Sequence, residues 1–213
     1  MAGADNAMGS NYSASDYVFQ FIIITTGVLI AMLANGFVER TKDRRLVAQA
    51  RSTIQREIAD NSKDLAATLS SFPKDREALD GAIQFADDML TTGKTSVTSI
   101  QIHYNMADLF DTSWRTAERT GALSHMDYAE VQRYSKLYDF QDFFITQQRA
   151  AVSQLSLTSS LLGPGFNPDK PNPDDLRTFR QRAHELRAAL GLQEDFAKRL
   201  AEFYAAALKN DAQ

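Results

Sequence analysis

"YVFQFIIITTGVLIAMLANGFV", Tyr17 to Val38, runs for 22 residues without a charge. As a helix rising about 1.5 Å per residue it reaches roughly 33 Å, enough to cross a hydrocarbon core of about 30 Å. Its polar side chains are few: Gln20, Thr25, Thr26 and Asn35. Hydroxyls in such a run can bond back to helix carbonyls. A cleaved signal peptide would instead want a positive leading region, a shorter apolar core and a small-x-small cleavage site. No Lys or Arg precedes this run, and "ANG" at Ala34 to Gly36 is a weak cleavage match. The stretch reads as a transmembrane helix over 17–38, behind a disordered tail over 1–16.

The charges around the run suggest an orientation. None of the residues before it is Lys or Arg, whereas Arg40, Lys42, Arg44, Arg45, Arg51 and Arg56 follow. The positive-inside bias then places the C-terminal domain in the cytoplasm. Arg40, Lys42, Arg44 and Arg45 form the densest basic cluster and suit lipid headgroups at the membrane interface. The chain has no cysteine, which separates a reducing compartment from an oxidising one in neither direction.

Residues 39–213 are enough for one domain with its own core. The net charge of the chain is −4, with acidic and basic residues mixed. Nucleic acid is therefore not an expected partner, because a phosphate backbone asks for a clustered basic face. The bilayer is one partner, and another membrane protein or a second copy is the other.

Helical spacing continues through the domain. Val47, Ala50, Ile54, Ile58, Leu65 and Leu69 mark one face, with Asn61 in register. "SSFPKD" predicts a break, with Pro73 in the first turn of a second helix. That helix carries Leu79, Ile83, Ala86 and Leu90, and Gly93 suits the position just past its end. "VTSIQIHY" alternates weakly and is read as extended or helical. "MADLFDTSWRTAERTG" predicts a short helix ending at Gly121.

"HMDYAEV" carries the best start signal. Asp127 can accept from the Glu130 amide while Glu130 reaches back to the Asp127 amide. Val131, Tyr134, Tyr138, Ile145, Val152 and Leu155 mark the face that follows, with Gln141 and Gln148 on the same stripe. Asn172 predicts the cap of the last helix, with Pro173 in its first turn. Leu176, Phe179, Ala183, Leu186, Leu190, Ala197, Leu200 and Tyr204 give its core face, with Gln193 in register. The expected fold is all-α: one N-terminal transmembrane helix continuing into an antiparallel helical bundle.

Chemistry is sparse. His103, His125 and His184 form neither H-E-x-x-H nor E-x-x-H. "GKT" at Gly93 to Thr95 lacks the first glycine of a phosphate-binding loop and the strand before it. No catalytic residue, metal ligand or cofactor is expected. The segment Thr112 to Gln141 holds the only tryptophan, Trp114. It predicts a helix–turn–helix corner built on Trp114, Gly121, His125, Tyr128 and Tyr138, or alternatively a ligand pocket lined by the same side chains.

Two stretches carry a resemblance. "GVLIAMLANGFVERTKDRR" with the charged helix ending "REIADN" is the first. The second is the pattern of Trp114, Ala117, Thr120, Gly121, Ala122, Leu123, Met126, Asp127, Tyr128, Val131, Tyr134, Leu137 and Tyr138. Together, over roughly 17–61 and 112–141, they resemble a broad group of small uncharacterised bacterial proteins with one N-terminal span and a helical domain. The resemblance implies an anchored helical protein and no activity. Several members of that group carry basic residues before the span, which this chain lacks.

The sequence thus favours a non-enzymatic inner-membrane protein, an interaction or accessory subunit of a membrane complex. A ligand-sensing bundle is the alternative. Gly27, Ala31 and Asn35, spaced by four, offer a small, partly polar face on which the span could pack against a second helix.

Overall fold

The structure, a computed structural model, describes residues 14–97, 100, 102, 104–163, 166–167 and 170–210. Four helices account for most of them: α1 (Ala14–Thr92), α2 (Thr112–Arg119), α3 (Tyr128–Ser159) and α4 (Pro173–Asn210). Two short 3-10 turns, Ala122–His125 and Ser160–Leu162, complete the regular structure, and no strand occurs among the described residues. Most of the tail, His103 and the Pro164-Gly165 pair lie outside the described residues.

The chain divides into two compact units, Met1–Val47 and Ala48–Gln213. In the first, α1 begins at Ala14, slightly before the expected start at Tyr17. Its apolar window has a mean hydropathy of 2.2 and none of it is buried. The helix is long and apolar enough to cross a membrane. Residues 17–35 are all exposed, the Gly27, Ala31 and Asn35 face included, and so are Arg40, Lys42, Arg44 and Arg45.

In the second unit, α1 continues through Pro73 instead of breaking there. Proline in a helix interior removes one hydrogen bond and crowds the preceding turn, at about 3 kcal/mol. Here the Ser70 and Ser71 hydroxyls donate to the carbonyls of Ala67 (2.6 Å) and Thr68 (2.9 Å) in that turn. Phe72 and Asp75, 1% and 2% exposed, are buried on either side of the proline. Burying one large apolar side chain contributes about 1.5–3 kcal/mol, so a few such positions offset the proline. The helix ends where expected. Gly93 adopts φ +67° and its N–H donates to the Met89 carbonyl, 3.2 Å, the left-handed stop that favours glycine.

The α1 stripe is buried at Ala50, Ile54, Ile58, Asn61 and Leu65. Beyond Leu65 the face passes through Thr68 and Phe72, leaving Leu69 half-buried. On α3 the buried residues are Glu130, Tyr134, Leu137, Tyr138, Gln141, Phe144, Gln148, Ala151 and Thr158. Val131, Ile145, Val152 and Leu155, expected inside, are half-buried. The inward face is centred about one residue earlier than the apolar spacing suggested, because the glutamines pull it round. All eight predicted apolar positions of α4 are buried, and so is Gln193 in register with them. Asn172 caps α4 as expected, its Oδ1 accepting from the Asp174 amide at 2.9 Å.

Hydrogen-bonded pairs give the helix directions. Arg51, Glu57 and Asn61 of α1 meet Glu130, Tyr138 and Gln141 of α3 in ascending order. These two helices therefore run the same way. Asp80 and Asp87 of α1 meet Arg187 and Arg180 of α4 in reverse order, so α4 runs opposite to α1. A purely antiparallel bundle is not what these pairs describe.

Candidate functional site

Glu57, Asn61 and Asp64 lie at steps of four and three, so they share one face of α1. Gln141 and Gln148 lie two turns apart on α3. Between these rows runs an irregular segment, residues 104–111, leading into α2. It has few deeply buried apolar anchors: Ala107 is 3% exposed, but Phe110 is 61% exposed.

Side chains hold the segment by its backbone. The Phe110 N–H donates to Asn61 Oδ1 (2.9 Å), and Asn61 Nδ2 donates to the Phe110 carbonyl (2.7 Å). Gln148 repeats the exchange at Ala107, accepting from its N–H at 3.0 Å and donating to its carbonyl at 2.9 Å. The Asp108 N–H donates to Asp64 Oδ2, 2.6 Å. A side-chain amide presents a donor and an acceptor side by side, so it satisfies an extended residue much as a neighbouring strand would. Gln141 links the rows: its Nε2 donates to the Phe110 carbonyl (3.0 Å), and its Oε1 accepts from Asn61 (3.2 Å) and the Tyr204 hydroxyl (2.7 Å).

Glu57 anchors the start of α2. Its Oε2 accepts from the Ser113 amide and its Oε1 from the Tyr138 hydroxyl, each 2.8 Å. Asp111, at the N-cap, makes no capping bond and pairs with Arg115 instead. Glu57 therefore supplies from another helix the negative charge that an N-terminus favours. Trp114 stacks on Tyr138 (centroids 5.5 Å, planes 14° apart) and meets Tyr134 edge-on at 6.3 Å. Beside Glu57 an open cleft of about 320 Å³ is lined by Thr53, Arg56, Asp60, Asn61, Phe110 and Thr112.

Arg51 closes the clamp. Its Nε and Nη2 donate to the two Glu130 carboxylate oxygens at 2.7 and 2.6 Å. Glu130 is buried and does not reach back to the Asp127 amide as the capping box predicts. Asp127 caps α3 alone, accepting from the Ala129 and Glu130 amides. Arg51 thus serves the fold, pairing α1 with α3.

Burial pushes the Tyr138 hydroxyl far above its ordinary range, helped by the Glu57 carboxylate it donates to. Burial does the same to Tyr204 and Tyr104. The Tyr104 hydroxyl and the Gln193 amide lie beside each other, buried, without a hydrogen bond of good geometry.

The predicted corner is present in part. Gly121 adopts φ +76° and makes the left-handed turn. Ala117, Ala122 and Met126 are buried behind Trp114 and Tyr138. His125 is exposed and Tyr128 is 75% exposed. His184 is exposed, and His103 lies outside the described residues. Among the described residues no three acidic or histidine side chains are grouped to hold a metal ion. The Gly93–Thr95 stretch caps α1: the Thr95 hydroxyl donates to Asp88 and accepts from the Val97 amide.

Sequence reasoning missed Glu57, Arg51 and Phe110. The available signal was the run of amides, Asn61, Gln141 and Gln148, at positions where the spacing asks for apolar residues. No protein-family model, curated protein or solved structure matches this chain.

Proposed function

We propose that this is a single-pass inner-membrane protein of bacterial type whose helical domain is a non-enzymatic interaction or accessory subunit of a membrane complex. One observation carries the reading: an uncharged helical stretch with every residue from 17 to 35 exposed. Such a surface is stable only in lipid or against another apolar helix. The exposed Arg40, Lys42, Arg44 and Arg45 that follow suit anionic headgroups and favour a cytoplasmic domain. In the domain, the buried amides Asn61, Gln141 and Gln148 are spent on holding its own backbone, which supports a scaffold over a catalyst.

Membranes bearing the full chain, washed with alkaline carbonate, test the anchor: the protein should stay in the pellet. Release into the supernatant sinks the proposal. Fusing a phosphatase or a fluorescent protein to the C-terminus reads the orientation. A fluorescent product without phosphatase activity is the expected result.

The cleft beside Glu57 favours one second reading, a ligand-sensing bundle. Its walls combine the exposed ring of Phe110 with Arg56 and Asp60, suited to a small molecule with an apolar part and a charge. Trp114 adjoins Glu57 through Tyr138, so a bound molecule should change its fluorescence. A metabolite panel that leaves the emission unchanged removes this reading.

A further inference from the structure

The helices α3 and α4 each carry a second stripe outside the core. On α3 it is Phe140, Phe143, Gln147 and Ala150; on α4 it is Leu192, Phe196, Arg199 and Phe203. Both follow the alternating three–four spacing of a coiled-coil seam. The rings meet along the seam: Phe140 with Phe203 at 5.3 Å and Phe143 with Phe196 at 5.1 Å. Next to them a hollow of about 90 Å³ is lined by Gln147, Ala150, Ala151, Ala189, Leu192 and Gln193, among others. Phe143 is 42% and Leu192 60% exposed. A seam of rings beside a hollow lined by alanines is a surface shaped for further helices.

We propose that this seam is the interface between two copies of the chain, related by a two-fold axis along the helices. This deepens the interaction reading above by naming the partner. The two-fold sets α3 of one copy beside α4 of the other and completes a four-helix bundle with alternating directions. Charge is the argument for a second copy. The two ring contacts fix the register within one copy, and a parallel two-fold keeps those levels. Exposed Asp142 of α3 then comes level with Lys198 and Arg199 of α4 in the other copy. Exposed Arg149 comes within about one turn of Asp195. Both opposite-charge meetings occur twice. In the same register like charges also meet, Asp139 with Glu202 and Arg133 with Lys209, and Asp142 lies within about one turn of Glu202.

The chain contains no cysteine, so a pair of single-cysteine variants tests this cleanly in native membranes. One tagged full-length copy carries Asp142→Cys and a differently tagged copy carries Lys198→Cys. Mild oxidation should give a mixed dimer. A control pair on other surfaces, Glu77→Cys with Glu118→Cys, should give none. Leu192→Asp, at an exposed position, should keep the helix content and thermal transition yet weaken association by about a hundredfold. Asp142→Lys should weaken it by about tenfold, and Glu202→Lys should tighten it. Equal crosslinking of the control pair, or none of the designed pair in folded membrane-bound protein, overturns the proposal. If a different protein then co-purifies stoichiometrically, the accessory-subunit reading survives without the dimer; a lone monomer removes both.

Discussion

Asn61 and Phe110 exchange two hydrogen bonds, one in each direction, between a helix side chain and an irregular backbone. The geometry is that of a strand pair, built where no strand exists. Replacing Asn61 by leucine keeps the branched shape but leaves the Phe110 N–H without its partner, while the Phe110 carbonyl keeps Gln141 Nε2 and Gln141 Oε1 keeps the Tyr204 hydroxyl. One buried group so stranded costs about 1–3 kcal/mol, so Asn61→Leu should destabilise the domain by about that amount. Denaturant unfolding followed by Trp114 fluorescence reads this, and a loss below about 0.5 kcal/mol contradicts the clamp.

The Arg51–Glu130 pair should behave as one unit. Glu130 is buried and Arg51 is about two-fifths exposed, so screening limits the attraction, but a stranded Glu130 carboxylate is costly. Arg51→Met should cost about 1–3 kcal/mol. Lysine should recover only part of it, since an ammonium cannot make the two-pronged contact. In the double variant Arg51→Met with Glu130→Gln the loss should be smaller than the sum of the single losses. Strict additivity in that cycle would falsify the pairing.

High pH should unfold the domain through its tyrosines. Tyr104, Tyr138 and Tyr204 are held protonated well above the ordinary value of 10.0. Above about pH 10 the unfolded chain releases these protons and the folded chain does not. The folded state then binds more protons, so stability is intact below that pH and falls as pH rises past it. Absorbance at the phenolate band should show these three ionising together with the loss of helix. Independent titration of all tyrosines before any unfolding is the contrary result.

Much of this was legible in the sequence, and the gaps have physical causes. In α4 every apolar position kept its place because caps, spacing and Tyr204 all agree on one face. The uncharged run and Gly93 were equally plain, since each depends on local chemistry alone. The α3 face was misjudged by about one residue because Gln141 and Gln148, polar by composition, are buried by what they bind. Arg51 looked like one more basic residue after a span; its partner lies 79 residues away. The corner kept Trp114 with Tyr138, while His125 and Tyr128 face outward, because spacing within a short turn does not say which side the core is on. Pro73 misled for the opposite reason: a strong local rule was overridden by burial on both sides.

Pro73 gives a test in which the two readings differ in sign. In the structure it is an exposed residue inside α1, costing a hydrogen bond to the preceding turn. Alanine restores the missing N–H and removes the ring from the Leu69 carbonyl, so Pro73→Ala should stabilise the domain by about 1–3 kcal/mol. If a break occurred instead, with Phe72 extended and Pro73 at the first helical position, the proline would be pre-set for its place. Alanine would then loosen the unfolded chain and lower stability by about 0.4–1 kcal/mol. Urea midpoints of the two full-length proteins in the same detergent decide it. A midpoint that rises without a change in slope supports one continuous helix, and one that falls restores the break.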